Sequence, residues 1–292
     1  MKGYLFPGQG SQYVGMGGSL YQHSSAARQM FKTADRMLGM DLTRVMLEGN
    51  QEALKETRVA QPAIFLHSVV TAFVSDVFQP AAVAGHSLGE ISALVASGVM
   101  DFEDGLRLVA VRSKAMQKAC QLFPGTMAAV LGLRDEVVEA ICAQITQEVV
   151  VPANYNCPGQ LVISGSQAGV ALAIEALTKA GARKVIPLQV AGGFHSPLMA
   201  HAQESVAAVL SSIPFSRGSC PIYQNVTGQP VTDPQIIKEN LLQQLVAPIY
   251  WTKTIHHMVE DGITEYIECG PGNVLQGLTR KIAPGLSIRP LA

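Results

Sequence analysis

Apolar residues in this chain fall into two patterns: short uncharged runs, and stretches that repeat every three or four positions. The first run, Tyr4 to Phe6, predicts a strand, and a loop of small and amide residues follows it, Pro7-Gly8-Gln9-Gly10-Ser11-Gln12. Helical spacing takes over around Ala26 to Leu38 and again from Pro62 to Val77. Ala81 to Ala84 reads as a second strand. It runs straight into Gly85-His86-Ser87-Leu88-Gly89-Glu90 and a helix from Glu90 to about Ser97. Asp101 is placed to cap a helix over Phe102 to Cys120.

The segment 126–190 has its own rhythm. Met127 to Leu131 predicts a strand, and Val137, Val138, Ile141, Cys142 and Ile145 share one helical face. Val149 to Val151 and Leu161 to Ser164 predict strands. Ser166 can cap a helix carrying Val170, Ile174 and Leu177, which Gly181 would end. Val185 to Val190 predicts a last strand. The order β-α-β-β-α-β is the ferredoxin-like signature. Beyond His195, α/β character returns, with a helix over Pro197 to Ser211, a strand over Ile263 to Cys269 and a helix over Val274 to Ile282. The expected architecture is therefore α/β. A large catalytic subdomain spans 1–125 and 191–292, and a small ferredoxin-like subdomain, 126–190, is inserted in it.

Composition narrows the function classes. With 48% hydrophobic and 15% charged residues among 292, the chain can bury a substantial core, and disorder is not expected. A formal net charge of -1 gives no reason to expect nucleic acid or an anionic membrane as a partner. The least charged long stretch, Arg58 to Asp76, contains Gln61, Pro62, His67 and Thr71, which suits a buried core helix rather than a membrane span. The run at the N-terminus is too short for a signal peptide. Five scattered cysteines without C-x-x-C spacing argue against a disulfide framework or zinc site and for a reducing cytoplasm. The spacing of Gly8-x-Gly10 and Gly15-x-Gly17 is not that of a dinucleotide-binding fingerprint, so no cofactor is expected.

The candidate chemistry starts at Gly85-x-Ser87-x-Gly89, a nucleophile-elbow pattern lying between a predicted strand and a predicted helix. In so tight a turn, a side chain two residues from the serine on either side would collide with backbone. The turn also puts Ser87 at a helix N-terminus, where the Leu88 N–H and the helix dipole can stabilise a negative oxygen. On this pattern alone, a structural serine is as good a reading as a catalytic one. A catalytic serine needs a base. Of seven histidines, His195 stands out because it follows Ala191-Gly192-Gly193-Phe194 after a predicted strand, though the residues alone leave the choice open. By itself Arg112 reads as a helix arginine in a surface ion pair.

Several spaced motifs then converge. Phe6-Pro7-Gly8-Gln9-Gly10-Ser11-Gln12, Gly85-His86-Ser87-Leu88-Gly89-Glu90, Val111-Arg112-Ser113-Lys114 and Phe194-His195-Ser196 occur in the order found in malonyl-CoA:acyl carrier protein transacylases. Asn154-Tyr155-Asn156-Cys157-Pro158-Gly159-Gln160, Gln244 to Trp251 and Glu268-Cys269-Gly270-Pro271-Gly272 also resemble that family. The resemblance spans essentially the whole chain. It implies an α/β-hydrolase-like large subdomain and transfer of malonyl from malonyl-CoA to the phosphopantetheine thiol of an acyl carrier protein, without a cofactor, by a cytoplasmic monomer. It implies Ser87 as nucleophile, His195 as base, and the Gln9 and Leu88 N–H groups as oxyanion hole. Arg112 would grip the malonyl carboxylate, the Gln244 backbone carbonyl would orient His195, and Phe194 would set acyl selectivity. Two positions depart from the family: Cys157, where serine is usual, and Gly193, often alanine, which is expected to loosen the His195 loop. The rival reading is a serine esterase or thioesterase on the same fold, which would need an acidic side chain on His195.

Overall fold

The computed structural model describes residues 1–291. Its ten strands are β1 (Lys2–Phe6), β2 (Ala82–Gly85), β3 (Gly125–Leu131), β4 (Val150–Cys157), β5 (Gln160–Ser166), β6 (Lys184–Pro187), β7 (Ile222–Tyr223), β8 (Pro230–Val231), β9 (Glu265–Glu268) and β10 (Ser287–Pro290). They form two sheets. The larger has the order β10-β9-β1-β2-β7-β8 and is parallel except for β8. After the exposed Lys2 that opens β1, β1 and β2 are apolar without a break because the sheet is covered on both faces. Tyr4 and Phe6 enter the core under the helices Thr57–Phe73, Leu88–Ala96 and Phe102–Leu122. Leu5, one residue out of phase, packs on the other face with Trp251, Ile255 and Tyr266.

The smaller sheet, β4-β5-β3-β6, is antiparallel throughout, and the helices Asp135–Gln144 and Gln167–Lys179 pack on it. This is the β-α-β-β-α-β order expected from the sequence, so both the α/β class and the ferredoxin-like arrangement are found. The strand expected over Val185 to Val190 stops at Pro187; one more bond to β3, from Leu188 N–H to the Met127 carbonyl at 2.9 Å, follows before the chain runs on toward Gly192 and Gly193. Conversely, β4 runs on to Cys157, past the expected Val151, with register shifts after Pro152 and Tyr155. The helix expected to start at Pro62 begins at Thr57, because Val59 and Ala60 already donate to the Glu56 carbonyl and form its first turn.

β4 is also bridged to the segment that follows Gln244, outside either sheet. Asn154 of β4 forms a parallel bridge with Ile249: Tyr155 N–H donates to the Ile249 carbonyl at 2.9 Å, and Ile249 N–H to the Ala153 carbonyl at 2.8 Å. Among the described residues, no helix is long and apolar enough to cross a membrane.

Candidate active site

The elbow after β2 is as crowded as its glycines suggested. A Cβ on Gly85 would lie 2.0 Å from the Gly89 carbonyl oxygen, and one on Gly89 would lie 2.0 Å from that of Phe6. Ser87 takes φ 52°, and His195 takes φ 56°; they are the only non-glycine residues with positive φ among those described. Such conformations cost energy and persist where the surroundings impose them. Here both belong to residues already singled out as nucleophile and base.

The two side chains meet. Ser87 Oγ lies 2.8 Å from His195 Nε2, and His195 Nδ1 lies 2.8 Å from the Gln244 carbonyl oxygen. A carbonyl can only accept, so Nδ1 carries the proton and Nε2 is free to accept that of Ser87. Among the described residues no carboxylate takes the place of this carbonyl, and none meets the esterase reading's requirement of an acid on His195. His195 is 4% exposed. Burial lowers its pKa to about 3, with Arg112 acting in the same direction and the Gln244 carbonyl opposing, so the imidazole is neutral at neutral pH.

Arg112, from the helix Phe102–Leu122, is 2% exposed. It forms no ion pair among the described residues; its partners are neutral oxygens. Nη1 donates to Gln61 Oε1 at 2.8 Å, and Nη2 donates to Gln244 Oε1 at 3.0 Å and to Ser87 Oγ at 3.1 Å. Burial lowers its pKa to about 10, against the charge of Glu90, which leaves it cationic. A buried guanidinium on neutral acceptors is a ready receptor for an incoming carboxylate. The guanidinium does not line the cleft; it meets the cleft at Ser87 Oγ.

The cleft itself encloses about 310 Å³ and is lined by Gln9, Leu88, Ser87 and His195, with Met127 and Phe194 among its apolar groups. Leu88 is the first residue of its helix, so its N–H has no intrahelical acceptor. The Gln9 N–H likewise donates to no group among the described residues. Gly8 brings the Gln9 loop against the elbow: a Cβ there would lie 2.5 Å from the His86 carbonyl oxygen. His86 points away from the serine, 3.0 Å from Asn156 Oδ1 and against the Trp251 ring.

Gly193 behaves differently from expectation. Its backbone is pressed against β5, where a Cβ would lie 2.9 Å from the Gly165 carbonyl oxygen, and Ser196 Oγ donates to the Gly193 carbonyl at 2.6 Å. Glycine here closes the loop rather than loosening it. The sequence reading missed Gln61, which looked like one polar interruption of a core helix, and Asn225, which follows a two-residue strand with no readable period. It also missed Glu90 and the Gln244 side chain, whose Nε2 donates to the Ser87 carbonyl at 3.1 Å and to Asn225 Oδ1 at 3.2 Å.

The family model for acyl transferase domains matches residues 3–283. The malonyl CoA-acyl carrier protein transacylase of Bacillus subtilis is 42% identical over 283 residues, covering 96% of this chain and 89% of that protein. Among solved structures, an acyl carrier protein S-malonyltransferase from Vibrio cholerae superposes with a TM-score of 0.94 at 40% identity, over 99% of this chain and 96% of that one. A malonyl-transacylase in complex with its type II PKS acyl-carrier protein superposes equally well, with a TM-score of 0.94 at 37% identity over 99% and 95% of the two chains.

Proposed function

The chain belongs to the malonyl-CoA:acyl carrier protein transacylases, and we propose that Ser87, His195, Arg112 and the Gln9 and Leu88 N–H groups divide that transfer among them. The observation that carries this reading is the position of one atom. Ser87 Oγ is held at once by the neutral base, 2.8 Å away, and by the buried guanidinium, 3.1 Å away.

Ser87 gives its proton to His195 Nε2 as Oγ attacks the malonyl thioester carbonyl. The oxyanion is held by the Gln9 and Leu88 N–H groups; in other enzymes one such donor is worth about 3–4 kcal/mol. The tetrahedral adduct collapses, the C–S bond breaks, and His195 returns its proton to the departing CoA thiolate. Malonyl stays on Ser87 as an ester. Arg112 loses an acceptor when Oγ becomes an ester oxygen and turns its planar fork to the malonyl carboxylate. The phosphopantetheine thiol of the carrier protein then gives its proton to His195 and attacks the ester. Ser87 recovers the proton, and malonyl leaves on the carrier. The steps balance without a cofactor. The Gln244 carbonyl fixes the imidazole tautomer throughout. It carries no full charge, so it stabilises the imidazolium less than a carboxylate would. That suits an activated thioester.

Phe194, 7% exposed, occupies cleft space that an α-methyl group would need. Malonyl should therefore be preferred to methylmalonyl by about 10- to 200-fold. Competition between the two CoA esters measures this, and no preference would remove Phe194 from the selectivity role. The two sheets support a division into a large subdomain, 1–125 and 191–292, and a small one, 126–190. Five unpaired cysteines support a reducing, cytoplasmic setting, and we read the working unit as a monomer.

Intact-mass measurement after incubation with malonyl-CoA tests the mechanism. One malonyl group should appear, and Ser87→Ala should abolish it. Adding the phosphopantetheinylated carrier should discharge the ester onto the carrier. Malonyl on Cys157 or Cys269, or release of free malonate at the same rate with and without carrier, would overturn it.

A further inference from the structure

The elbow leaves two backbone groups of the reactive turn without a strand to pair them. β2 pairs with β7 through Val83↔Ile222 and Ala84↔Tyr223, and the ladder ends there. One step further on, the Asn225 side chain takes over the role of the missing strand. Its Nδ2 donates to the Gly85 carbonyl at 2.7 Å, and its Oδ1 accepts from Ser87 N–H at 2.7 Å. One amide thus offers a donor and an acceptor in the sense a neighbouring peptide would, across a turn whose central residue has positive φ. Asn225 and Gly85 are buried and Ser87 is half-buried, and the Asn225 amide is the partner both backbone groups have in the fold.

Asn225 is itself seated from the elbow helix. Its N–H donates to Glu90 Oε2 at 2.8 Å, and Glu90 Oε1 accepts from Gln224 Nε2 at 3.1 Å. Glu90 lies three residues after Ser87 and is fully buried. The ring therefore closes: Ser87 leads into the helix, the helix presents Glu90, Glu90 fixes Asn225, and Asn225 holds Ser87. Gln244 joins this ring to the rest of the site. Its Nε2 donates to Asn225 Oδ1, its Oε1 accepts from Arg112, and its backbone carbonyl holds His195.

We propose that Asn225, seated by Glu90, is a positioning residue for the nucleophile: its side-chain amide stands in for a strand and holds Ser87 in the backbone conformation that aims Oγ at His195. The proposal rests on Ser87 being the residue that carries the acyl group. Without the amide, the buried Gly85 carbonyl and the half-buried Ser87 N–H lose their partner, and the turn relaxes toward a conformation that satisfies them. Arg112 and the cleft walls stay in place, so malonyl-CoA still binds, but the attacking oxygen is misdirected.

The test separates the two effects. Rapid-quench mass spectrometry gives the rate of malonyl-Ser87 formation in Asn225→Ala, Asn225→Asp, Glu90→Ala and the Asn225→Ala/Glu90→Ala double variant. Calorimetry on the same variants carrying Ser87→Ala gives the malonyl-CoA dissociation constant. Asn225→Ala should slow acylation on the order of 10- to 100-fold, the loss expected for leaving buried polar groups unpaired, with the dissociation constant changed no more than a few-fold. Asn225→Asp keeps an acceptor for Ser87 N–H and loses the donor to Gly85, so it should fall between the wild type and Asn225→Ala. Glu90→Ala should slow acylation less than Asn225→Ala, and the double variant should be no slower than Asn225→Ala alone, because Glu90 acts through Asn225. If Asn225→Ala does not fold, Asn225→Asp and Glu90→Ala decide the matter. Acylation at the wild-type rate in a folded Asn225 variant would overturn the proposal. So would binding that weakens in step with the rate, or an additive double variant. A wild-type protein that carries no malonyl on Ser87 would instead overturn the catalytic reading on which the proposal rests.

Discussion

The two sheets serve the site unequally. The parallel sheet supplies Gln9 three residues after β1, Ser87 two residues after β2 and Asn225 two residues after β7. The antiparallel sheet supplies wall: Met127 of β3 and Asn154 of β4 line the cleft, and neither touches Ser87 Oγ. The difference follows from strand direction. Parallel strands all end on the same edge, where the next helix begins, so free N–H groups and turn residues accumulate there. Antiparallel strands end alternately on opposite edges and gather no such edge. His195 belongs to neither set: it sits on the loop that leaves the small sheet, and Gln244 of the large unit orients it.

The largest effect should come from the residue that bridges the two regions. His195→Ala should lower malonyl transfer about 10²- to 10⁴-fold, the usual contribution of a positioned general base, read as kcat/KM. Burial also fixes its pH behaviour. The pKa lies at about 3, below its ordinary value of 6.5, so the base is already deprotonated throughout the range in which an ordinary histidine titrates. The pH profile of kcat/KM should therefore show no acid limb centred near 6.5. A limb there would mean that the base is solvated and that the loop is not closed against β5.

Next comes Arg112. Arg112→Ala should cost malonyl transfer about 30-fold or more, as the loss of a buried hydrogen-bonded charge partner does, and should spare acetyl transfer. Parallel assays with malonyl-CoA and acetyl-CoA read the ratio. Equal losses would make the arginine a structural part of the large unit and nothing more.

Gln244→Ala should have a smaller effect, about tenfold on kcat/KM, because three side-chain hydrogen bonds are lost while the carbonyl on His195 remains. From the backbone carbonyl alone one would expect this substitution to be nearly silent. The Arg112 and Ser87 contacts of its amide are the reason it should not be. Smallest of all should be Met127→Ala on the antiparallel sheet: the acylation rate should stay within a few-fold of wild type, even if the melting temperature falls. A rate loss comparable to that of Gln244→Ala would erase the contrast between the sheets.

What was legible in the sequence was local. Gly85 and Gly89 could be read because a five-residue turn states its own steric problem, and Ser166 and Asp101 could be read as caps because capping reaches only two or three residues. β7 and β10, of two and four residues, are too short to show a period, and β7 pairs with β2 far away in sequence. The hydrogen-bonded ring around Ser87 joins positions 138 and 157 residues apart, and nothing in the spacing of Asn225 or Gln244 announces it. Gln244 was placed by resemblance, which carried the role of its carbonyl and not that of its amide.

The bridge between Asn154 and Ile249 sets terms for anyone who would exchange parts of this enzyme with a relative. Crossover points at 126 and 190 look natural from the sequence, although β3 already begins at Gly125. A donor cassette cut at those points would still have to dock on foreign residues at Ile249, Tyr250 and Thr252. There the host contributes the reciprocal backbone pair, a ring 4.9 Å from that of Tyr155, and a hydroxyl that donates to the Tyr155 carbonyl at 3.0 Å. Those three positions begin five residues after Gln244, whose carbonyl holds His195 Nδ1, so a mismatched graft should be felt at His195. A graft that keeps this contact would therefore move 126–190 and 249–252 as one.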